Sequence, residues 1–326
     1  MVSHLLNTAD IDKNIEDLVL SKTEGIPFFI EEFIKSLKER QIIKKENGTY
    51  RLNKDYKSIS IPSTIQDVIM ARVDHLSEGT REVLRTGSVI EREFSHELIQ
   101  KVTELPEPEL LSHLSSLRDA ELLYERGIYP TSIYIFKHAL TREAVYDSIL
   151  SKKRKQIHAK IAHTIEEIHR ENICDCYGIL SNHCMASEDY EKAADYARLE
   201  ARKYQKAASF RDAVEYAKRS ITCLEKLPQN EDVQKRVIDA RVLLSAYYLS
   251  LNYHIEAKDA VDPIVKVALN LNYQKRIPGI YLAVGVYYIF IEEDFSKGKQ
   301  YLNDVFEIGA KVGDYLAIWF AEIHGD

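Results

Sequence analysis

Apolar residues recur at helical spacing through most of the chain, interrupted twice by short runs that read as strand. Ile11, Ile15, Leu18 and Val19 share one face and predict a short helix over residues 11–20. Gly25 ends that element. A second helix is predicted to start at Pro27 and to run through Phe33, Ile34 and Leu37, because proline costs nothing in a first turn, where its missing N–H has no acceptor. Glu31 and Glu32 are read as acids suited to the positive end of that helix. The β-prone runs at 42–45 and 49–52 flank Glu46-Asn47-Gly48, and Asn-Gly between such runs predicts a hairpin.

Residues 58–150 carry a different grouping. Ser63 is placed to cap a helix, with Gln66 three positions on completing a capping box, and Ile65, Val68, Ile69, Val73 and Leu76 form its stripe. Three further helices are predicted: one after Ser77 with Val83, Leu84 and Val89 inward, one from Ser95 with Leu98, Ile99 and Val102, and one from Pro106 with Leu110, Leu111, Leu114 and Leu117. Residues 122–126 and 134–136 predict a strand pair around a turn holding Gly and Pro. Helices followed by such a wing are the order of a winged-helix module.

From Ser151 onward the pattern is helical throughout. Lys152-Lys153-Arg154-Lys155 opens a helix bearing Ile157, Ile161, Ile165 and Ile168, and a charge run of this kind reads as the solvated start of a helix. Aromatic residues paired with a small one recur as Tyr190 with Ala193, Phe210 with Ala213, Tyr253 with Ala257 and Phe295 with Gly298, spaced from Phe210 by 43 and then 42 residues. Polar turns at Glu188-Asp189, Asn252 and Glu293-Asp294 separate them. This predicts helix–turn–helix repeats close to tetratricopeptide repeats, stacked because none can bury its apolar face alone, with the aromatic filling the groove beside the small residue. Residues 315–326 read as the first helix of a further hairpin, so the array is expected to continue in the intact protein.

The fold class expected is therefore mainly α: residues 1–57 a helical segment with a hairpin, 58–150 a winged-helix domain, and 151–326 an α-α superhelical hairpin array. Composition fits a globular protein, 45% hydrophobic and 29% charged. Net charge is −7, from 44 basic and 51 acidic residues, which argues against a broad nucleic-acid surface. The two candidate recognition helices, 95–104 and 106–119, carry Glu97, Glu104, Glu107, Glu109 and Asp119 against Lys101 and Arg118, the wrong balance for phosphate contact. No apolar run of membrane-spanning length occurs, so no membrane partner is expected. Cys174, Cys176, Cys184 and Cys223 are too few and too clustered for a secreted disulfide framework, which places the chain in the cytoplasm. With His183 they do not match a structural zinc spacing, and no metal is expected. Neither a P-loop, nor a magnesium-binding acidic strand, nor a hydrolase motif is present, so no catalytic residue is assigned.

Several separated blocks resemble the AAA-type STAND signalling ATPases. Glu24-Gly25-Ile26-Pro27-Phe28-Phe29-Ile30-Glu31-Glu32 is similar to the family's lid segment, with Ile26 where Asn is usual. Residues 61–76, from Ile61 to Leu76, resemble the start of the family's winged helix, and Gly87-Ser88-Val89-Ile90-Glu91-Arg92-Glu93-Phe94, Glu121-Leu122-Leu123-Tyr124-Glu125-Arg126 and Phe136-Lys137-His138-Ala139-Leu140-Thr141 follow in family order. The resemblance covers roughly residues 13–225. It implies that the turn at Gly25 and Pro27 packs on the adenine of ATP or ADP and that His138 faces its phosphates, with Arg142 one turn on as a weaker candidate. His138 otherwise reads as a half-buried histidine at a strand-to-helix junction. The P-loop NTPase domain completing such a site, in cis or in trans, is expected to lie outside this chain, as in a fragment, a split gene or an internal start. The function implied is a non-catalytic regulatory segment relaying partner binding on the helical repeats to that nucleotide site. A free-standing adaptor with a protein partner, and a winged-helix transcription regulator, are the alternatives.

Overall fold

The computed structural model describes residues 1–6, 11–23, 25–39, 41–46, 49–52 and 64–325. These fall into two compact units, Met1–Ile157 and His158–Asp326. The fold is mainly α, with two small antiparallel sheets confined to the first unit.

The first unit opens with α1 (Val2–Leu6), α2 (Lys13–Thr23) and α3 (Pro27–Glu39). Strands β1 (Ile43–Glu46) and β2 (Thr49–Leu52) pair antiparallel, with Glu46 opposite Thr49; the Asn47-Gly48 turn itself lies outside the described residues. Ile15, Val19, Phe33, Ile34, Leu37 and Ile42 form a fully buried core that extends to Val68 of the next helix. Next comes α4 (Ile65–Asp74). Ser63 lies outside the described residues, and the observed N-cap is Thr64, one residue on: its hydroxyl accepts from the Asp67 N–H, and the Asp67 carboxylate accepts from the Thr64 N–H. The reciprocal box thus uses a threonine and an aspartate, which span the same three-residue interval as the serine and glutamine expected.

Helices α5 (Glu78–Ile90), α6 (His96–Thr103) and α7 (Glu107–Asp119) follow at the expected places, capped by Ser77 and Ser95 for the first two. The strand pair is in fact a three-stranded sheet. Strand β3 (Glu93–Ser95) pairs with β5 (Ile133–Phe136), which pairs in turn with β4 (Leu123–Arg126). A three-residue strand with only Phe94 buried is too short to give a period-2 signal, which is why the pattern misses it. Helix α8 (Ala139–Asp147) leads into α9 (Ser151–Ile168), which crosses the boundary between the units. The basic run at its start is partly spent on ion pairs: Lys153 with Glu82, and Arg154 with Asp147 at 3.7 Å.

The second unit is a helical-hairpin array: α10 (Tyr177–Ala186), α11 (Tyr190–Lys206), α12 (Phe210–Leu224), α13 (Glu231–Ser250), α14 (His254–Val261), α15 (Val265–Asn270), α16 (Ile277–Phe290), α17 (Phe295–Val312) and α18 (Tyr315–Gly325). All four aromatic anchors stand at helix starts, and the small partners Ala193, Ala213, Ala257 and Gly298 are buried. A left-handed residue precedes each of these helices: Glu188, Ala208, Asn252 and Glu293 all have positive φ. The turn then ends in a cap where an aspartate is available, as with Asp189 and Asp294, whose carboxylates accept from the N–H three residues on. One detail differs from expectation. Phe295 is 60% exposed and Tyr253 40%, so these aromatics do not fill the groove beside the small residue. Beyond α14, Pro263 has no N–H to donate and starts the 3-10 turn that separates α14 from the short α15.

Candidate functional site

The turn at Gly25-Ile26-Pro27 leaves α2 and starts α3. Gly25 has φ +78°, and a Cβ there would meet nothing within 4 Å, so the glycine answers a backbone need and not a steric one. Gly25, Ile26 and Pro27 are all exposed. Phe28 comes next, and its ring lies 4.0 Å from that of His138. The structure therefore brings the Gly25–Pro27 turn and His138 into one neighbourhood, with Phe28 joining them.

His138 is the N-cap residue of α8; its carbonyl accepts from the N–H groups of Thr141 and Arg142. Strand β5 delivers it: Phe136 is fully buried, and Lys137 N–H donates to the Leu122 carbonyl beside β4. The ring is half-buried, and its Nε2 is buried without a hydrogen-bond partner. Burial lowers its pKa below the ordinary histidine value, with Lys137 and Lys35 adding to the effect and Glu32 and Glu31 opposing it. The imidazole is thus held neutral, with one nitrogen unspent. Arg142 is already engaged: its Nε donates to the Ser88 carbonyl at 2.9 Å, tying α8 to α5.

Around His138 lies a network that the sequence pattern does not reveal. The first turn of α3 holds no acid; Glu31 and Glu32 fall on its second turn and serve as ion-pair partners, which corrects the reading of them as N-terminal charges. Glu32 is 1% exposed and pairs with Arg72 of α4, itself almost fully buried; Arg72 also donates to the Ala120 carbonyl at 2.6 Å. Lys137 reaches Glu31 at 3.2 Å and Glu121 at 2.8 Å, and Lys35 reaches Glu31 at 3.0 Å. The hydrogen bond from Lys137, with that from Lys35, holds the Glu121 carboxyl down at about 2. For Glu31 burial works upward, and the two lysines outweigh it. Burial likewise opposes the Lys137 charge, and its bonds to Glu121 and Glu31 push it above the usual lysine range. Three elements are thereby locked together: α3, the residues leading into β4, and the β5–α8 junction that carries His138.

Glu31, Glu32 and His138 bring three ligand-type atoms within 4.8 Å of one another. The surrounding Lys35, Lys137 and Arg72 pair with both carboxylates, which leaves little free negative charge to hold a metal ion.

Elsewhere, the acidic balance of α6 and α7 is reinforced by geometry. Lys101 pairs with Glu97 at 3.1 Å, and Arg118 with Glu125 at 2.9 Å. Both cations of the candidate recognition helices are therefore spent within the protein. Of the cysteines, Cys174 is exposed and Cys176, Cys184 and Cys223 are buried, all as free thiols; burial pushes Cys184 up to about 12. His183 hydrogen-bonds His158 through the two Nδ1 atoms at 2.8 Å, so it faces another histidine and not Cys184. No helix among the described residues is long and apolar enough to cross a membrane.

Residues 1–51 match the family described as Domain of unknown function (DUF8739). Among solved structures, the chain is similar to a Signal Transduction ATPase with Numerous Domains (STAND) protein with a tetratricopeptide repeat sensor from Pyrococcus horikoshii, at 12% identity and a TM-score of 0.32. That match covers 95% of this chain, which spans about half (49%) of the other. Comparison with curated proteins gives no match.

Proposed function

We propose that this chain is the regulatory part of a STAND-type signalling ATPase. In this reading residues 1–57 are its helical lid, 58–150 its winged helix and 151–326 its partner-binding helical repeats. The Gly25–Pro27 turn meets the adenine of ATP or ADP, His138 meets a phosphate oxygen, and a P-loop NTPase domain, in cis or in trans, supplies the remaining contacts. Catalytic residues are not assigned to this chain.

One observation carries the reading: the turn and the histidine, 111 positions apart in Pro27 and His138, are joined through the Phe28–His138 ring contact and braced by the Glu31–Lys137 pair. A phosphate oxygen on the unpartnered Nε2 would favour the protonated ring, whose proton can then be donated in a charge-assisted hydrogen bond. Because α3, β4 and the β5–α8 junction share one ion-pair network, a nucleotide held there biases the position of the whole winged-helix module, which is the element a two-state relay requires.

The test is titration of the purified chain with ADP and with Mg-ATP by calorimetry, alongside the proton resonance of the His138 ring. Saturable heat lost in His138→Ala, or an ADP-dependent movement of that resonance, supports the reading. A resonance unmoved at millimolar ADP would mean that this chain alone does not hold nucleotide and that the site needs the P-loop domain. Added P-loop domain that still left the resonance unmoved would remove nucleotide from the reading, and the adaptor function of the repeats would then stand alone.

A further inference from the structure

The second unit holds a solvent-open cavity of about 390 Å³ between α11, α12, α13, α16 and the start of α18. That volume falls in the range of small-molecule sites. Part of its lining is apolar, from Leu224, Leu243, Leu249, Leu282, Ala317 and Phe320. Another part carries Arg198, Arg202, Arg236 and Arg276.

The charges of the lining are unevenly spent. Arg276 donates to Asp239 at 2.6 Å, and Arg236 to Asp195 at 3.2 Å and to Glu191 at 3.1 Å. Asp314, the third acid of the lining, uses its carboxylate to cap α18 at the Ala317 N–H. What remains is Arg202, which has no ion pair among the described residues, and Arg198, whose ion pair with Asp195 is the longest in the lining at 3.6 Å and shares that acid with Arg236. The two stand one turn apart on α11, hence on one face. Their guanidinium forks match the oxygens of a carboxylate or a phosphate, and the apolar part of the lining suits a hydrocarbon body.

We propose that this cavity is a binding site for an amphipathic organic anion, its acidic head on Arg198 and Arg202 and its apolar body against Leu243, Leu282 and Phe320. It makes the helical array a receptor for a small ligand. The proposal does not rest on the nucleotide reading, since every residue it uses lies in the second unit.

The experiment uses the full chain and the fluorescent anion anilinonaphthalene sulfonate, with uncharged phenylnaphthylamine as its neutral counterpart. We expect one saturable anion site, weakened at least tenfold in Arg198→Glu/Arg202→Glu, while the neutral probe binds that variant as it does the wild type. Ala246 lines the cavity and is exposed to it, so Ala246→Phe fills the space without entering the core; it should abolish binding of both probes. Octanoate or octyl phosphate should displace the anion and octanol should not, and the better competitor identifies the head group. Unchanged anion binding in the charge-reversed variant, or in Ala246→Phe, or displacement by neither acid, would overturn the proposal. Circular dichroism confirms that each variant is folded.

Discussion

Glu32 on α3 and Arg72 on α4 form an ion pair with side chains only 1% and 5% exposed. Two charges removed from water this fully are tolerable only together, because either alone would be an uncompensated buried charge. The pair also sits behind His138, so it fixes the wall of the candidate site as well as the packing of α3 on α4.

Breaking that pair from one side should therefore be severe. Glu32→Ala and Arg72→Met are each expected to cost about 3–5 kcal/mol, while Glu32→Leu/Arg72→Met, which removes both charges, should cost much less. Urea unfolding of the two singles and the double measures this. Additive losses would mean that the two side chains are not coupled in solution.

The Glu121 carboxyl, held at about 2 against an ordinary 4.5 by Lys137 and Lys35, makes a prediction about acid. Between those values the unfolded chain binds the proton that the folded chain refuses. The pairing thus stabilises the fold fully above about 4.5 and is lost as pH falls through about 2. Glu121 is 54% exposed, so solvent screening keeps the contribution small. In Lys137→Met its titration, followed by carbon NMR of the carboxyl, should move upward toward the ordinary value. It should stop short of that value because Lys35 remains.

His138 runs in the opposite sense of charge. Its folded pKa lies below 6.5, chiefly through burial. As pH falls below 6.5 the unfolded chain takes up the proton first, and stability declines until the folded ring also titrates. His138→Gln should consequently be more stable than wild type in mild acid, relative to the comparison at alkaline pH. Thermal melts across this window supply the measurement, and a pH-independent difference would show that the ring is not desolvated.

Two glycines should respond to alanine for different reasons. At Gly25 the space is open and φ is +78°, so Gly25→Ala should cost only the left-handed backbone term, about 1–2 kcal/mol, with Gly25→Asn milder. At Gly298 a Cβ would lie 2.4 Å from Ile289 Cγ1 and 3.1 Å from the Gly285 carbonyl, where α16 and α17 touch. Gly298→Ala should cost about 1–3 kcal/mol through overpacking. Hydrogen exchange should show loss of protection spread over both α16 and α17 in that variant, and confined to the start of α3 in Gly25→Ala.

Local signals determined most of the elements. Apolar residues at helical spacing place α4 to α7. The aromatic-plus-small pairs mark the starts of α11, α12, α14 and α17, because a helix start is set by its own turn and cap. The Ile43–Leu52 pairing was legible from the Asn-Gly between two β-prone runs. Gly25 and Pro27 were legible as a turn for the same reason: both act through their own backbone. Strand β3 was not, since three residues with one inward side chain have no period, and its existence depends on β5 arriving beside it. Nor were the partners of Glu31 and Glu32, which come from Arg72 and Lys137 far along the chain; a charge reports nothing in sequence about which distant charge it will meet. The arginine-walled cavity belongs to the same class. Arg198 and Arg202 look like ordinary exposed helix residues until the stacking of α11, α13, α16 and α18 decides which acids are shared and places the two arginines in the lining of a partly apolar cavity.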